Sequence, residues 1–330
     1  MTDQKMKAII CTNYGSPDVL QLQEIKRPKP KDDEVLVRIY ASSITTAETM
    51  MRTGYPLIGR LFTGLTKPKN AIPGTGFAGK IEAVGSNVKT FKKGDSVFGE
   101  SLESFGTYAE YVCINEAGIL SLKPENVSFE EAAVVGDGSI TSMNFLKEVA
   151  KIQKGQSVLI NGASGSLGTA AVQIAKHFGA EVTGVCSTSN LEMVKSLGAD
   201  NVIDYSIEDF TKIEKTYDII YDTVGKSSFT KCKPLLSKNG IYMSPVLGFP
   251  LLFQMIKTSI MGSKKALFSA TGTLSTEKIK SLLQEIKLLM ETAQLKSVID
   301  KRYSLAQVSD AHRYIDRGHK RGNVVIDFNN

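Results

Sequence analysis

Residues 158–190 read VLINGASGSLGTAAVQIAKHFGAEVTGVCSTSN. A short apolar run, Val158-Leu159-Ile160, enters a glycine-rich turn, and LGTAAVQIAKHF then carries apolar residues at helical spacing up to Gly179, the usual residue just past a helix end. The turn comprises Gly162, Ala163, Ser164, Gly165, Ser166, Leu167 and Gly168. Glycines at this spacing make a tight turn, let the backbone approach a pyrophosphate, and let helix and strand pack closely. A helix starting near Ser166 offers its amino-terminal N–H groups and positive dipole end to that phosphate. Strand–helix turns also use glycine for purely structural reasons, so the motif is weighed with its surroundings.

A second strand, EVTGVC, follows and ends at Cys186-Ser187-Thr188-Ser189-Asn190. An acid commonly stands there to accept from a ribose 2′-hydroxyl, and it would repel a 2′-phosphate. Glu181 lies nearly the right distance from the glycines but begins the strand, at the opposite end. The hydroxyls and amide at 187–190 can donate to a phosphate. The site therefore leans towards NADP(H), with a looser site accepting either nucleotide as the alternative.

Around this stretch, strands and helices alternate from about residue 125 to 272. SVLING, EVTGVC, NVIDY, DIIYDTVG, IYMSPV and ALFSAT read as strands; LGTAAVQIAKHF, NLEMVKSL and SSFTKCKPLL read as helices. Short apolar strands separated by helices describe a parallel sheet covered on both faces. Ser128 with Glu131 three residues on predicts a capped helix over SFEEAAVVGDGSITSMNFLKEVA. The first 120 residues differ, with strand-like VLVRIYASSI (35–44), KIEAVGS, DSVFGES and GTYAEYVCIN (106–115) closed by glycines. After about 272 come an amphipathic helix, STEKIKSLLQEIKLLMETAQ, and a second from Leu305 to about Gly318. A final strand, GNVVIDF, is expected to return to the first domain's sheet.

With 330 residues, 42% hydrophobic and 22% charged, the chain suits two globular domains. Its net charge of +6 is spread along the sequence, which favours a solvated basic surface over a nucleic-acid groove. The amino terminus lacks the long apolar core of a secretory signal, and the four separated cysteines read as reduced thiols of a cytoplasmic protein. There are three histidines, two of which, His312 and His319, are placed on a surface helix by the polarity of their surroundings.

Several segments in order resemble the zinc-independent quinone oxidoreductases of the medium-chain dehydrogenase/reductase superfamily: IPGTGFAGKIEAVGSNVKTFKKGDSVFG (72–99), GTYAEYV, EEAAVV, the glycine turn, LGADNVIDY, YDIIYDTVG and RGNVVI (321–326). The resemblance spans almost the whole chain. It implies an α/β protein in which a Rossmann-fold cofactor domain (125–272), a doubly wound parallel sheet, is inserted in a split, β-rich GroES-like catalytic domain (1–124 and 273–330). Carried over, residues 162–168 hold the pyrophosphate of NADPH, and Ser187, Asn190 and Tyr205 surround the 2′-phosphate. Relatives often have lysine where Asn190 stands. Thr141 corresponds to a threonine near the nicotinamide, and Val224, Gly225, Ser244 and Phe268 line the cofactor, with Lys320 a further phosphate neighbour. A homodimer is expected.

Zinc-dependent relatives place Gly-His-Glu where this chain has Gly74-Thr75-Gly76, and cysteine near Ala41-Ser42-Ser43. A catalytic zinc needs three protein ligands, and these positions do not supply them. No metal is expected. Without a Lewis acid to stabilise an alkoxide, hydride addition to a quinone or an enone is the easier chemistry, because the acceptor delocalises the charge. Tyr55 matches a substrate-cleft tyrosine that orients a carbonyl or gives a proton; the other reading is a tyrosine packed in a loop. Thr45 stands where relatives have asparagine, and Glu48 where they have aspartate.

The expected activity is NADPH-dependent reduction of a small, hydrophobic quinone or enone. The alternatives are an NADP-linked alcohol or aldehyde dehydrogenase and a non-catalytic NADPH-binding protein. PVLGFPLLFQMI (245–256) is too short to span a bilayer and reads as a substrate wall or a subunit interface, with membrane contact the remaining reading.

Overall fold

The computed structural model describes residues 4–55 and 57–328. Two compact units emerge: one holds the chain up to Asp137 with Ser275–Glu291 and everything from Ile299 on, the other Gly138–Leu274 with Thr292–Val298.

The first unit opens with an antiparallel pair, β1 (Lys5–Ile10) and β2 (Gln21–Lys26). Its hub is β3 (Glu34–Ile44), whose Val35, Val37 and Ile39 are at most 2% exposed. Antiparallel to it run β4 (Gly76–Val84) and, beside its first half, β6 (Tyr111–Asn115); β5 (Ser96–Glu100) and β7 (Ile119–Leu122) extend the sheet beyond β4. GTYAEYVCIN forms a strand only over its second half. Residues 106–110 are diverted: Gly106 has φ 96°, Tyr108 N donates to Pro73 O, and Tyr108 O accepts from Ile9 N. The Ser128 cap forms as expected, with Ser128 Oγ accepting from Glu131 N and the Glu131 carboxylate accepting from Ser128 N. The capped helix is shorter than the 128–150 run expected: it covers Phe129–Ala133 and packs within the first unit, stacking Phe129 on Tyr40 at 4.7 Å, while the chain from Gly138 on belongs to the second unit.

The second unit is built on β8 (Ser157–Asn161), β9 (Glu181–Cys186), β10 (Asn201–Asp204), β11 (Tyr217–Asp222), β12 (Leu236–Met243) and β13 (Lys265–Leu267). They pair in the order β10-β9-β8-β11-β12-β13, every pairing parallel. Chain direction across the sheet reverses between β8 and β11, which is the doubly wound arrangement with its switch point at those two carboxyl ends. Val158, Leu159 and Ile160 are fully buried, as strands covered on both faces require.

The last two strands, β14 (Ile299–Tyr303) and β15 (Asn323–Asp327), return to the first unit. β15 inserts between β14 and β3, pairing Val324 with Ile44 and Val325 with Ser43. One expectation is overturned here. His312 is not on a surface helix face: it is fully buried, because helix Val308–Asp316 turns Val308, Ala311, His312 and Ile315 inward at i, i+3, i+4, i+7 spacing. His319 lies beyond that helix and is exposed. Among the described residues no helix is long and apolar enough to cross a membrane.

Candidate active site

The three glycines of the turn meet different requirements. Gly162 has φ +80°, and a Cβ there would lie 2.3 Å from Val224 Cγ2. At Gly168 a Cβ would stand 2.1 Å from Gly162 O, so helix Ser166–His177 crosses the strand end at backbone contact. These two are demanded by the fold itself. Gly165 is different: its φ is −81°, and the only atom near a built Cβ is Gly162 O, at 3.5 Å. Nothing in the chain needs a glycine at 165. The space it leaves open lies at a helix start that has no side-chain cap, where backbone N–H groups and the dipole favour an anion. A pyrophosphate fits that cradle.

Beside the turn, Asn190 Nδ2 donates to Ser187 Oγ at 3.0 Å and to Ser164 Oγ at 3.3 Å. This ties the end of β9 to the glycine turn through small polar groups. Tyr205, half-exposed, follows β10 with its N–H on Cys186 O at 3.1 Å. Cys186 occupies the carboxyl end of β9, and burial pushes its thiol up to about 11, so it stays neutral. The nearest strand-end acid is Asp204 of β10. Hydroxyls of Ser206 and Thr188 donate to it and hold its carboxyl below the usual range, so its oxygens are already engaged.

Of the other cofactor candidates, Val224, Gly225, Ser244 and Phe268 follow the carboxyl ends of β11, β12 and β13. Thr141 opens the turn Thr141–Met143, where Ser142 Oγ donates to Leu167 O at 2.8 Å and keeps Thr141 next to the glycine-turn helix. Val224 and Gly225 (φ +70°) lie in a loop wound on the buried Asp222, whose carboxylate accepts from the N–H groups of Val224, Gly225 and Ser227, from Asn161 Nδ2 and from Tyr242 OH. Ser244 Oγ accepts from Val246 N, and Val246 packs where a Cβ on Gly225 would go. Phe268 is half-buried just past β13. Asp222 does not stand out in the sequence alone. Its signal was the acid closing DIIYD immediately before the loop TVG.

In the first unit, Tyr55 follows helix Thr46–Thr53, which exits through Gly54 at φ +65°. Its side chain is 71% exposed, and Leu57, Leu61 and Leu65 are exposed along the same segment. Thr45 caps that helix: Thr45 Oγ1 accepts from Glu48 N, and Glu48 Oε2 accepts from Thr45 N at 2.7 Å. Glu48 also accepts from Thr75 N at 2.9 Å and Tyr108 OH at 2.9 Å. Burial raises its carboxyl to about 7, against the pull of those donors. Glu100 is buried close by and its carboxyl is pushed well up, chiefly by burial and then by Glu48. A cavity of about 60 Å³ is lined by Glu48, Arg52, Cys11, Met51 and Phe105 among others. Lys320 belongs to this unit, where burial lowers its pKa against the carboxylates of Asp137, Asp300 and Glu48. Ser42 Oγ donates to Gly76 O at 2.8 Å and shares a hydrogen bond with Thr107 Oγ1. Among the described residues no group of three or more His, Cys, Asp or Glu is arranged to hold a metal ion.

Comparison with known proteins gives this arrangement relatives. Residues 31–124 match the alcohol dehydrogenase GroES-like domain, and residues 197–326 match the family described as zinc-binding dehydrogenase. The chain is 34% identical to the 2-methylene-furan-3-one reductase of Solanum lycopersicum, over 98% of this chain and 79% of that one. It is 30% identical to the chloroplastic NADPH-dependent alkenal/one oxidoreductase of Arabidopsis thaliana, over 98% of this chain and 80% of that one. Among solved structures, the quinone oxidoreductase from Coxiella burnetii superposes with a TM-score of 0.85 at 27% identity, covering 98% and 99% of the two chains. The chain belongs to the zinc-independent quinone oxidoreductase branch of the medium-chain dehydrogenase/reductase superfamily. The match described as zinc-binding dehydrogenase covers residues 197–326 and does not reach Ser42, Thr75 and Gly76, where the family resemblance puts the zinc ligands of zinc-dependent relatives.

Two predictions follow from these geometries. Gly165→Val is expected to leave the melting temperature nearly unchanged while abolishing dinucleotide binding. Gly168→Ala is expected to unfold the second unit at lower denaturant, because a methyl 2.1 Å from Gly162 O forces helix and strand apart. Fluorescence titration with nucleotide and chemical denaturation of both variants check this, and normal binding by the Gly165 variant would leave the turn purely structural.

Glu48 supplies a pH signature. Its folded pKa, about 7, lies above the ordinary 4.5, so the folded state holds a proton that the unfolded state releases between those values. Its contribution is complete below the lower value and is lost as pH rises through the upper one. Relative to Glu48→Gln, the native protein should lose stability on the order of 3 kcal/mol between about pH 5 and 8. Unfolding curves at a series of pH values measure the difference; a flat difference means that Glu48 is ionised throughout.

Proposed function

We propose that this protein is an NADPH-dependent reductase of quinones and α,β-unsaturated carbonyl compounds that works without zinc. The observation that carries the reading is Gly165, a glycine that the fold does not require at an anion-favouring helix start. The choice of NADPH over NADH rests on the Ser164–Asn190–Ser187 group, which has donors and no free acid where a 2′-phosphate would lie. The relatives named for alkenal, furanone and quinone reduction support the substrate class.

When bound, NADPH supplies the hydride. The chain's own groups hold and orient. Residues 162–168 seat the pyrophosphate, and the Asp222-wound loop fixes Val224 and Gly225 in register with the turn. In the acceptor, the β-carbon gains the hydride, the C=C pair moves between the α-carbon and the carbonyl carbon as the C=O π pair moves onto oxygen, and a proton added at the α-carbon of that enolate gives the saturated ketone. A quinone gains one hydride and one proton to become the quinol. Tyr55, exposed and hydroxyl-bearing, is the residue proposed to orient the carbonyl or give the proton, and the apolar side chains that follow it suit a lipophilic acceptor. Thr45 has its hydroxyl oxygen committed to the helix cap, so its role in this scheme is to hold that segment in place. The four cysteines are free thiols, in keeping with a cytoplasmic setting, and a homodimer is part of the same proposal.

Purified protein should consume NADPH with a simple quinone or a short enone, giving an intact carbonyl in the enone product. Simple alcohols with NADP+ should give little turnover. Ser187→Asp should weaken NADPH binding roughly tenfold or more, since a charge-assisted hydrogen bond is worth about 1.5–3 kcal/mol. Equal affinity for NADH and NADPH in calorimetry would defeat the cofactor assignment, and absence of turnover with every acceptor would defeat the reductase reading.

A further inference from the structure

Helix Phe249–Ile260 is apolar on the side that faces solvent. Its inward face is made by Leu251, Met255 and Thr258, which leave Phe249, Leu252, Phe253, Ile256 and Ile260 exposed by 41–91%. At 3.6 residues per turn those five side chains fall within an arc of about 100°. Met261 prolongs the patch at 67% exposure. A surface helix of a globular protein ordinarily turns its apolar stripe to the core and its charges outward. Here the outward stripe is apolar and aromatic. From sequence alone this segment is a substrate wall, a subunit interface or a membrane contact.

A stripe exposed along its whole length does not wall a pocket, and charge decides between the other two. Between Thr223 and Thr276 the sequence holds seven lysines and not one Asp, Glu or Arg. Lys257 stands on the helix at the edge of the apolar arc and is exposed. Lys264 and Lys265 follow its carboxyl end and bring the backbone of Lys233 and Lys238 there: Lys264 Nζ donates to Lys233 O at 2.9 Å, Ser263 Oγ donates to Lys238 O, and Lys265 Nζ donates to Thr258 O. In a twofold dimer through this face the patch would meet itself, setting lysines against lysines with no acid of the same stretch to pair them. An anionic lipid surface instead accepts aromatic and aliphatic side chains at the acyl boundary and pairs lysines with headgroups.

We propose that helix Phe249–Ile260 is an interfacial membrane-docking element that lies on anionic phospholipid, with its apolar face inserted and the surrounding lysines at headgroup level. The surface stands on the helix and its charges alone, so it holds whether or not the reductase reading does.

The test is sedimentation of the full-length protein with vesicles of phosphatidylcholine, with and without phosphatidylserine. Binding should rise roughly tenfold or more with phosphatidylserine and fall in high salt, as lysine–headgroup attraction is screened. The double variant Phe249→Ser/Phe253→Ser should lose most of that binding while keeping its melting temperature and nucleotide affinity. A second variant, Lys257→Glu/Lys264→Glu, should lose it with the apolar face intact. Equal binding to vesicles without phosphatidylserine, or binding untouched by either variant, would overturn the proposal. So would an absence of vesicle binding, including the case where Phe249→Ser/Phe253→Ser instead shifts the oligomeric state in ultracentrifugation, which would make the face a subunit interface.

Discussion

At Gly168 a helix backbone touches the end of a strand, and a single methyl group there would stand 2.1 Å from Gly162 O. That contact sets where the first turn of helix Ser166–His177 points and leaves the room at Gly165 that an anion would use. It also brings the turn against Thr223 and Val224, since a Cβ on Gly162 would collide with both. The anion cradle, the Asp222-wound loop and the Ser164–Asn190–Ser187 group therefore follow from one close packing of helix on strand. Larger side chains at 162 or 168 would separate all three at once.

The first unit depends on the opposite kind of constraint, a polar group held inside. Glu48 takes hydrogen bonds from Thr45, Thr75 and Tyr108, and so joins a helix start, the entry to β4 and the segment after β5 around one carboxyl. Nearby, Arg52 is 4% exposed with one nitrogen on Asp316, and His312 is fully buried with burial lowering its pKa to about 3. Such networks cost desolvation energy and are tolerated where their geometry fixes neighbouring segments. Here the neighbour is the segment that carries Tyr55.

Much of this was legible because the signals were local. The glycine turn, the Ser128 cap with Glu131 and the alternation of short apolar strands with helices each depend on a few adjacent residues, and each reads directly from the chain. The return of the final strand to the first sheet was legible too, since GNVVIDF is an apolar strand with no helix after it to carry the strand–helix alternation further. What escaped depended on distant partners. His312 has the residue type of a surface position, and only the packing of Val308, Ala311 and Ile315 draws it in. Tyr108 looked like part of a strand because its neighbours alternate, yet its backbone partners are Pro73 and Ile9. Asp222 reads as an ordinary strand-end acid until the loop is seen to wind around it.

β15 has a consequence for how the protein is made. Its partner β3 leaves the ribosome some 280 residues earlier, since Ile44 pairs with Val324. Synthesis proceeds from the amino end, so β8 to β13 are all available to pair before β15 exists. During that interval the Ala41–Ile44 edge of β3 has open backbone donors and acceptors, the kind of edge that recruits foreign strands. The nascent first unit carries an open strand edge until Asn323–Asp327 pairs between β14 and β3 and closes it.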